Sequence, residues 1–159
     1  MDYYGKIAKG YDELYEEEQA NKLSVIRDNI NVSKNTKILD IGCGTGISSN
    51  FGCFVAGIDP SMELLRHNQS RRKVCGIAEL LPFKNNSFDY VICVTAMHNF
   101  DNIKKSLEEM KRVCSGHFII TILRRSRKFD AIKKMIEGGF KIYKTKEESK
   151  DAILFCRKP

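Results

Sequence analysis

Apolar residues follow two spacings along the chain. From Lys9 to Ile30 they recur at helical spacing. Tyr11, Leu14 and Tyr15 form one i, i+3, i+4 stripe, and Leu23, Ile26 and Ile30 form another. The polar stretch Glu18–Asn21 separates them and suggests a division into two helices. Short apolar runs bounded by turn residues predict strands at Lys37–Ile41, Phe54–Ile58, Lys73–Ile77, Phe88–Val94 and His117–Leu123. Helical spacing returns three times. Ser61 is placed to cap a helix over Met62–Asn68, with Leu64 and Leu65 facing inward. Asp101–Val113 carries Ile103, Leu107, Met110 and Val113 on one face, with Asp101 or Asn102 as its cap. Lys128–Glu137 stops at Gly138-Gly139. Leu81–Ser87 contains Pro82 and an Asn-Asn-Ser cluster and reads as loop. Two strands close the chain, Phe140–Lys144 and Ala152–Cys156, with polar Thr145–Asp151 between them.

Strands that alternate with helices imply a parallel sheet with helices on both faces. The last two strands have no helix between them and should form an antiparallel hairpin. The expected fold class is α/β, with a seven-stranded, mostly parallel sheet. A length of 159 residues suits one domain, read as an N-terminal helical cap over 1–33 and a core over 34–159.

Composition narrows the class. Apolar residues make up 42 % and charged residues 30 % of the chain, as in soluble globular proteins. No apolar run is long enough to cross a bilayer, so no membrane partner is expected. The opening MDYYGKIAKGYDELYEEE is polar and acidic, unlike a secretory or transit segment, and a cytoplasmic location is expected. None of the six cysteines is in C-x-x-C spacing, which argues against a zinc or redox site. Reduced, mostly buried thiols and no bound metal are expected. Charge is uneven: residues 1–103 carry a net −2 and residues 104–159 a net +9, giving the +7 of the chain. A basic C-terminal third suits an anionic partner such as RNA, and equally a solvated surface.

The segment ILDIGCGTGISSNFGCFVAGIDPS, Ile38–Ser61, carries the chemistry. The first strand runs into Gly42, Gly44 and Gly46, which bare the backbone for close approach and allow positive φ. In open α/β sheets ligands bind beyond the carboxyl ends of the strands. Asp59 follows Asp40 by 19 residues and ends the second strand, where an acid can bond ribose hydroxyls. The spacing is G-x-G-x-G, not the G-x-G-x-x-G of a dinucleotide site, and no G-K-[ST] follows as in a P-loop. Only Ile47–Phe54 separates Gly46 from the strand residue Val55, so a short helix is expected there.

Asp40-Ile41-Gly42-Cys43-Gly44-Thr45-Gly46 resembles the first motif of class I S-adenosylmethionine-dependent methyltransferases. Ile58-Asp59-Pro60-Ser61 resembles their second motif. Ala78-Glu79-Leu80-Leu81-Pro82-Phe83, then Asn86-Ser87-Phe88-Asp89, resembles the third motif and the entry to the fourth strand, and Thr95-Ala96-Met97-His98 falls where the motif after that strand lies. The pattern Ile7-Ala8, Tyr11-Asp12, Tyr15 is similar to the type 11 group, which includes quinone-biosynthesis enzymes and a tRNA wobble-uridine methyltransferase. The resemblance implies a Rossmann-like fold with S-adenosyl-L-methionine as cofactor. It implies that Gly42, Cys43, Gly44 and Gly46 line the methionine end and that Asp40 orients the ammonium group. Asp59 would hold the ribose, Pro60 would pack on the adenine, Met62 would either join it or pack its own helix, and Ile77, Ala78 and Glu79 would border the base. Thr95, in the motif after the fourth strand, would also contact the cofactor. Many relatives have an aspartate where Ile77 stands, so Glu79 or a backbone carbonyl must take the adenine amino group.

Candidate groups near the acceptor are His98, Tyr4 and Tyr11. His98 can titrate near neutrality and act as a base, or merely shape the pocket wall. Tyr11 can close over the cofactor from the N-terminal helix, whereas packing is the simpler role for Tyr4 and Tyr15. The position after the fourth strand lacks the Asn-Pro-Pro-Tyr or Asp-Pro-Pro-Tyr of enzymes that methylate base amines or glutamine amides, and no Pro-Cys supplies a nucleophile for cytosine C5. Arg124, Arg125, Arg127 and Lys128 cluster after the fifth strand and could hold phosphate. RNA, such as tRNA, is the expected acceptor, with a small quinone-type molecule and a non-catalytic cofactor-binding subunit as alternatives. A small zinc-protein activator is a further possible partner, as for some type 11 relatives.

Overall fold

The computed structural model describes residues 3–47 and 50–159, with side chains described from Glu13 onward. A long helix α1 (Tyr3–Asn29) leads into strand β1 (Lys37–Ile41). After the glycine loop come β2 (Phe54–Asp59), α2 (Met62–His67) and β3 (Lys73–Cys75). The chain then crosses to β4 (Phe88–Cys93), a single 3₁₀ turn at Met97–Asn99, α3 (Ile103–Val113) and β5 (Cys114–Leu123). It ends with α4 (Phe129–Gly139), β6 (Lys141–Glu148) and β7 (Asp151–Arg157). One sheet holds all seven strands in the order β3-β2-β1-β4-β5-β7-β6. The pairs from β3 to β5 are parallel, and β7 runs antiparallel to both β5 and β6. The strand order therefore reverses between β1 and β4, which opens a crevice at their carboxyl ends.

Period-two alternation divides the core into two layers. In β1, Ile38 packs with Leu23 and Ile26 of α1, whereas Leu39 and Ile41 pack with Leu107 and Met110 of α3 and Ile132 and Ile136 of α4. Asp40 shares the Ile38 face, so it points to the α1 side of the sheet. Leu107, Met110 and Val113 form the buried stripe of α3, and Asn102 caps it by accepting the Lys105 N–H at 3.0 Å.

Several elements differ from their sequence pattern. The helix α1 continues unbroken through Glu18–Asn21, because the polar residues Gln19 and Lys22 turn inward. Ser61 caps α2 as expected, but only Leu65 is buried there, and Leu64 faces the crevice. The helix α4 runs through Gly138 and Gly139 before it ends. The hairpin strands reach Glu148 and Asp151, leaving a two-residue turn in which Ser149 has φ 50°. Most of β6 is exposed and five of its eight residues are charged, which suits a sheet edge. In the segment expected to hold a short helix, Ile47 lies in a tight helical turn and residues 50–53 are irregular. No helix among the described residues is long and apolar enough to cross a membrane.

Candidate active site

The carboxyl ends of β1, β2 and β4 converge on a cleft of about 820 Å³, within the range of small-ligand sites. The glycine loop forms its floor. The N–H groups of Gly42 and Cys43 both donate to the Ile58 carbonyl, at 2.8 and 3.1 Å, and turn the chain away from β1. Gly42, Gly44 and Gly46 take φ of 77, 48 and 90°. A Cβ on Gly42 would stand 2.4 Å from the Ala96 Cβ, so glycine is required for the loops after β1 and β4 to meet.

Asp59 is buried and held from two sides. Its Oδ2 accepts the Gly44 N–H at 2.9 Å and its Oδ1 accepts the Ser61 N–H at 2.8 Å. A carboxylate has further lone pairs for a ligand hydroxyl. Asp40 is also buried, and burial together with the neighbouring Asp59 charge pushes its carboxyl up to about 8. The ligand-free protein therefore keeps Asp40 largely protonated at neutral pH. A cation arriving beside it would favour the carboxylate. Burial first, and then the charges of Asp40 and Asp59, push the Cys43 thiol up to about 12, so it is no thiolate nucleophile.

Asn68 braces this floor. Its Nδ2 donates to the Gly44 carbonyl at 3.0 Å, and its Oδ1 accepts the Ser70 N–H at 2.9 Å. Nothing in the local sequence pattern marks it, since its role arises from a contact 24 residues away. Across the cleft, Thr95 holds a left-handed φ of 53°, uncommon for a β-branched residue. Its N–H donates to Thr121 Oγ1 at 2.7 Å, and its own Oγ1 accepts from Lys22 Nζ at 2.9 Å. Lys22 is also ion-paired with Asp151, and both side chains are almost wholly buried. Residues 22, 95, 121 and 151 thus tie α1, the end of β4, β5 and the hairpin together beside the cleft.

Asp40, Gly42, Cys43, Gly44, Gly46, Asp59, Pro60 and Thr95 all line the cleft. Ala78 lies in the apolar core, and Glu79 accepts the Asn102 N–H at 3.1 Å, so neither is on the cleft wall. Met62 and Ile77 are exposed outside it. His98 is off the wall too; its carbonyl accepts from Lys128 Nζ at 3.0 Å, and its neighbours Asn99 and Phe100 reach the cleft instead. Tyr15, expected to pack, lines the cleft. The side chains of Tyr4 and Tyr11 lie outside the described residues. In the basic cluster, Arg124 bonds Glu147 at 3.2 Å and the Ser149 carbonyl, bracing the hairpin. Arg125 and Arg127 are exposed.

A family model described as "Methyltransferase domain", of type 11, matches residues 39–120. The chain belongs to the type 11 class I S-adenosylmethionine-dependent methyltransferase family. Its matched span runs from the glycine-loop strand to the middle of β5 and so includes the cleft floor. The uncharacterized protein MJ1252 of Methanocaldococcus jannaschii is 36 % identical over 149 residues, covering 88 % of this chain and 58 % of that protein. A demethylmenaquinone methyltransferase of Staphylococcus aureus is 32 % identical over 143 residues, covering 78 % of this chain and 59 % of that protein. The chain thus spans less than two thirds of the length of either relative. Among solved structures, the methyltransferase of a complex with the Trm112 methyltransferase activator from Haloferax volcanii superposes with a TM-score of 0.80 at 14 % identity, covering 96 % of this chain and 95 % of that one. That likeness concerns the fold.

Proposed function

We propose that the cleft binds S-adenosyl-L-methionine and that the chain transfers its methyl group to an acceptor. The observation that carries this reading is the floor: two buried carboxyls, Asp40 and Asp59, beside a glycine loop that a single Cβ would obstruct. That floor suits a ligand with a cationic amino group and neighbouring hydroxyls. Asp40 would hold the ammonium group, Asp59 the ribose hydroxyls and the glycine loop the methionine end, with Pro60 flanking the base. When bound, the cofactor supplies a methyl group made electrophilic by its sulfonium. The chain's part is to hold the acceptor in line and to exclude water.

For the acceptor we rank a small aromatic molecule first. The demethylmenaquinone methyltransferase relative supports this, as does the apolar side of the cleft formed by Leu23, Val94 and Phe100. RNA is the second reading, supported by the +9 charge of residues 104–159 and by exposed Arg125 and Arg127. It has lost ground because Arg124 and Lys128 already hold the hairpin and the His98 carbonyl. An activator subunit of the Trm112 kind would find the short edge strand β3, with Val74 exposed, open to it.

The test is transfer of radiolabelled methyl from S-adenosylmethionine into a fractionated cell extract. Label in the lipid and small-molecule fraction supports the first reading, and label in RNA supports the second. Absence of label from every fraction, with and without an added activator subunit, would count against methyl transfer.

A further inference from the structure

We propose that Gln19 recognises the carboxylate at the amino-acid end of the cofactor; this rests on the S-adenosylmethionine reading of the cleft. Gln19 lines the cleft from α1 and is only 5 % exposed. Its Nε2 has no hydrogen-bond partner among the described residues. A buried donor left unmatched destabilises a protein, so such groups call for a specific explanation. A ligand oxygen supplies one.

The chemistry of the two cleft walls selects which oxygen. The floor is acidic, with Asp40 and Asp59 both buried. It accepts hydrogen bonds and cations and repels anions. The carboxylate is the only anionic group of S-adenosylmethionine, so it must face a different wall. Gln19 presents an amide N–H there. Glu16, one turn earlier on α1, also lines the cleft but is exposed at its mouth, where solvent screens it. The donor is also preorganised. Lys22, three residues on, anchors α1 through its buried pair with Asp151 and its bond to Thr95, and Leu23 packs in the core. Little ordering of α1 is then left for ligand binding to impose.

The experiment compares two ligands by isothermal titration. S-adenosylhomocysteine carries the amino-acid end, and 5′-methylthioadenosine has the same base, ribose and sulfur without it. In Gln19→Leu, affinity for S-adenosylhomocysteine should fall about tenfold and affinity for 5′-methylthioadenosine should stay unchanged. Gln19→Glu should weaken S-adenosylhomocysteine further by like-charge repulsion. Thermal unfolding of ligand-free Gln19→Leu should not come at a lower temperature than wild type, because the unmatched donor is gone; a lower one would mean that Gln19 has a structural role instead. Equal affinity of wild type and Gln19→Leu for S-adenosylhomocysteine, or equal weakening of both ligands, would overturn the assignment. A wild-type protein that binds neither ligand would remove the S-adenosylmethionine reading and this proposal with it. Binding of both ligands with no effect of the substitution would remove the role of Gln19 alone.

Discussion

Asp40 and Asp151 stand at the same edge of the sheet, both almost inaccessible to solvent, and they are handled in opposite ways. Asp151 opens β7 and faces Lys22 of α1, a cation of its own chain. Asp40 faces a second carboxyl, Asp59, and its own carboxyl is pushed up to about 8. A buried acid matched to a cation joins distant segments. A buried acid set against another acid is a standing cost to the ligand-free fold, and such sites concentrate where ligands bind. The difference assigns Asp151 to architecture and Asp40 to the cleft.

The largest effect should come from breaking the architectural pair. Lys22→Met leaves the Asp151 charge buried without its cation and should destabilise the protein by about 3–5 kcal/mol in urea unfolding. Adding Asp151→Leu should recover most of that loss, since a buried pair can often be replaced by apolar groups. A double variant no more stable than the single would break the comparison on this side. On the cleft side, Asp59→Ala should weaken S-adenosylhomocysteine binding by roughly a hundredfold in isothermal titration, because two charge-assisted hydrogen bonds to the ribose would be lost. Asn68→Ala should cost about 1–3 kcal/mol, by releasing the Gly44 carbonyl and the Ser70 N–H, with looser ligand binding as a second readout.

Reading the sequence made the strands and the glycine loop legible, because buried parallel strands are continuous apolar runs and the loop carries its own spacing. The polar stretch Glu18–Asn21 misled for a physical reason. A polar residue is ordinarily a mark of solvent, and here Gln19 points into the cleft while Lys22 meets an aspartate 129 positions further along the chain. That partnership, like the brace from Asn68 to Gly44, exists only after the chain has folded. The edge strand β6 was legible only as far as Lys144, since its far half, residues 145–148, lacks the alternation that marks a half-buried strand. Of the candidate site residues, those on the strand ends and the glycine loop line the cleft, whereas Ala78, Glu79 and His98, grouped with them by motif order alone, do not.

The pH dependence of stability separates the two aspartates more finely. Folded Asp40 keeps its proton up to about 8, whereas in the unfolded chain it ionises near the ordinary aspartate value of 3.8. Between these values the folded state binds more protons, so Asp40 makes stability fall as pH rises from about 4 to 8. Asp40→Asn should flatten that slope in denaturation series at several pH values, and an unchanged slope would mean that the carboxyl is already ionised in the ligand-free fold. The smallest effect is expected at His98. His98→Ala should change affinity for S-adenosylhomocysteine by less than about threefold, since its side chain does not line the cleft.

The most direct test places both sides in one titration: S-adenosylhomocysteine into the wild type, Asp59→Ala and the Lys22→Met, Asp151→Leu double variant. Saturable one-to-one binding to the wild type is expected, lost by about a hundredfold in Asp59→Ala and kept within about fivefold in the folded double variant. No saturable binding to the wild type, or wild-type affinity in Asp59→Ala, would contradict the assignment of the acidic floor to the cofactor.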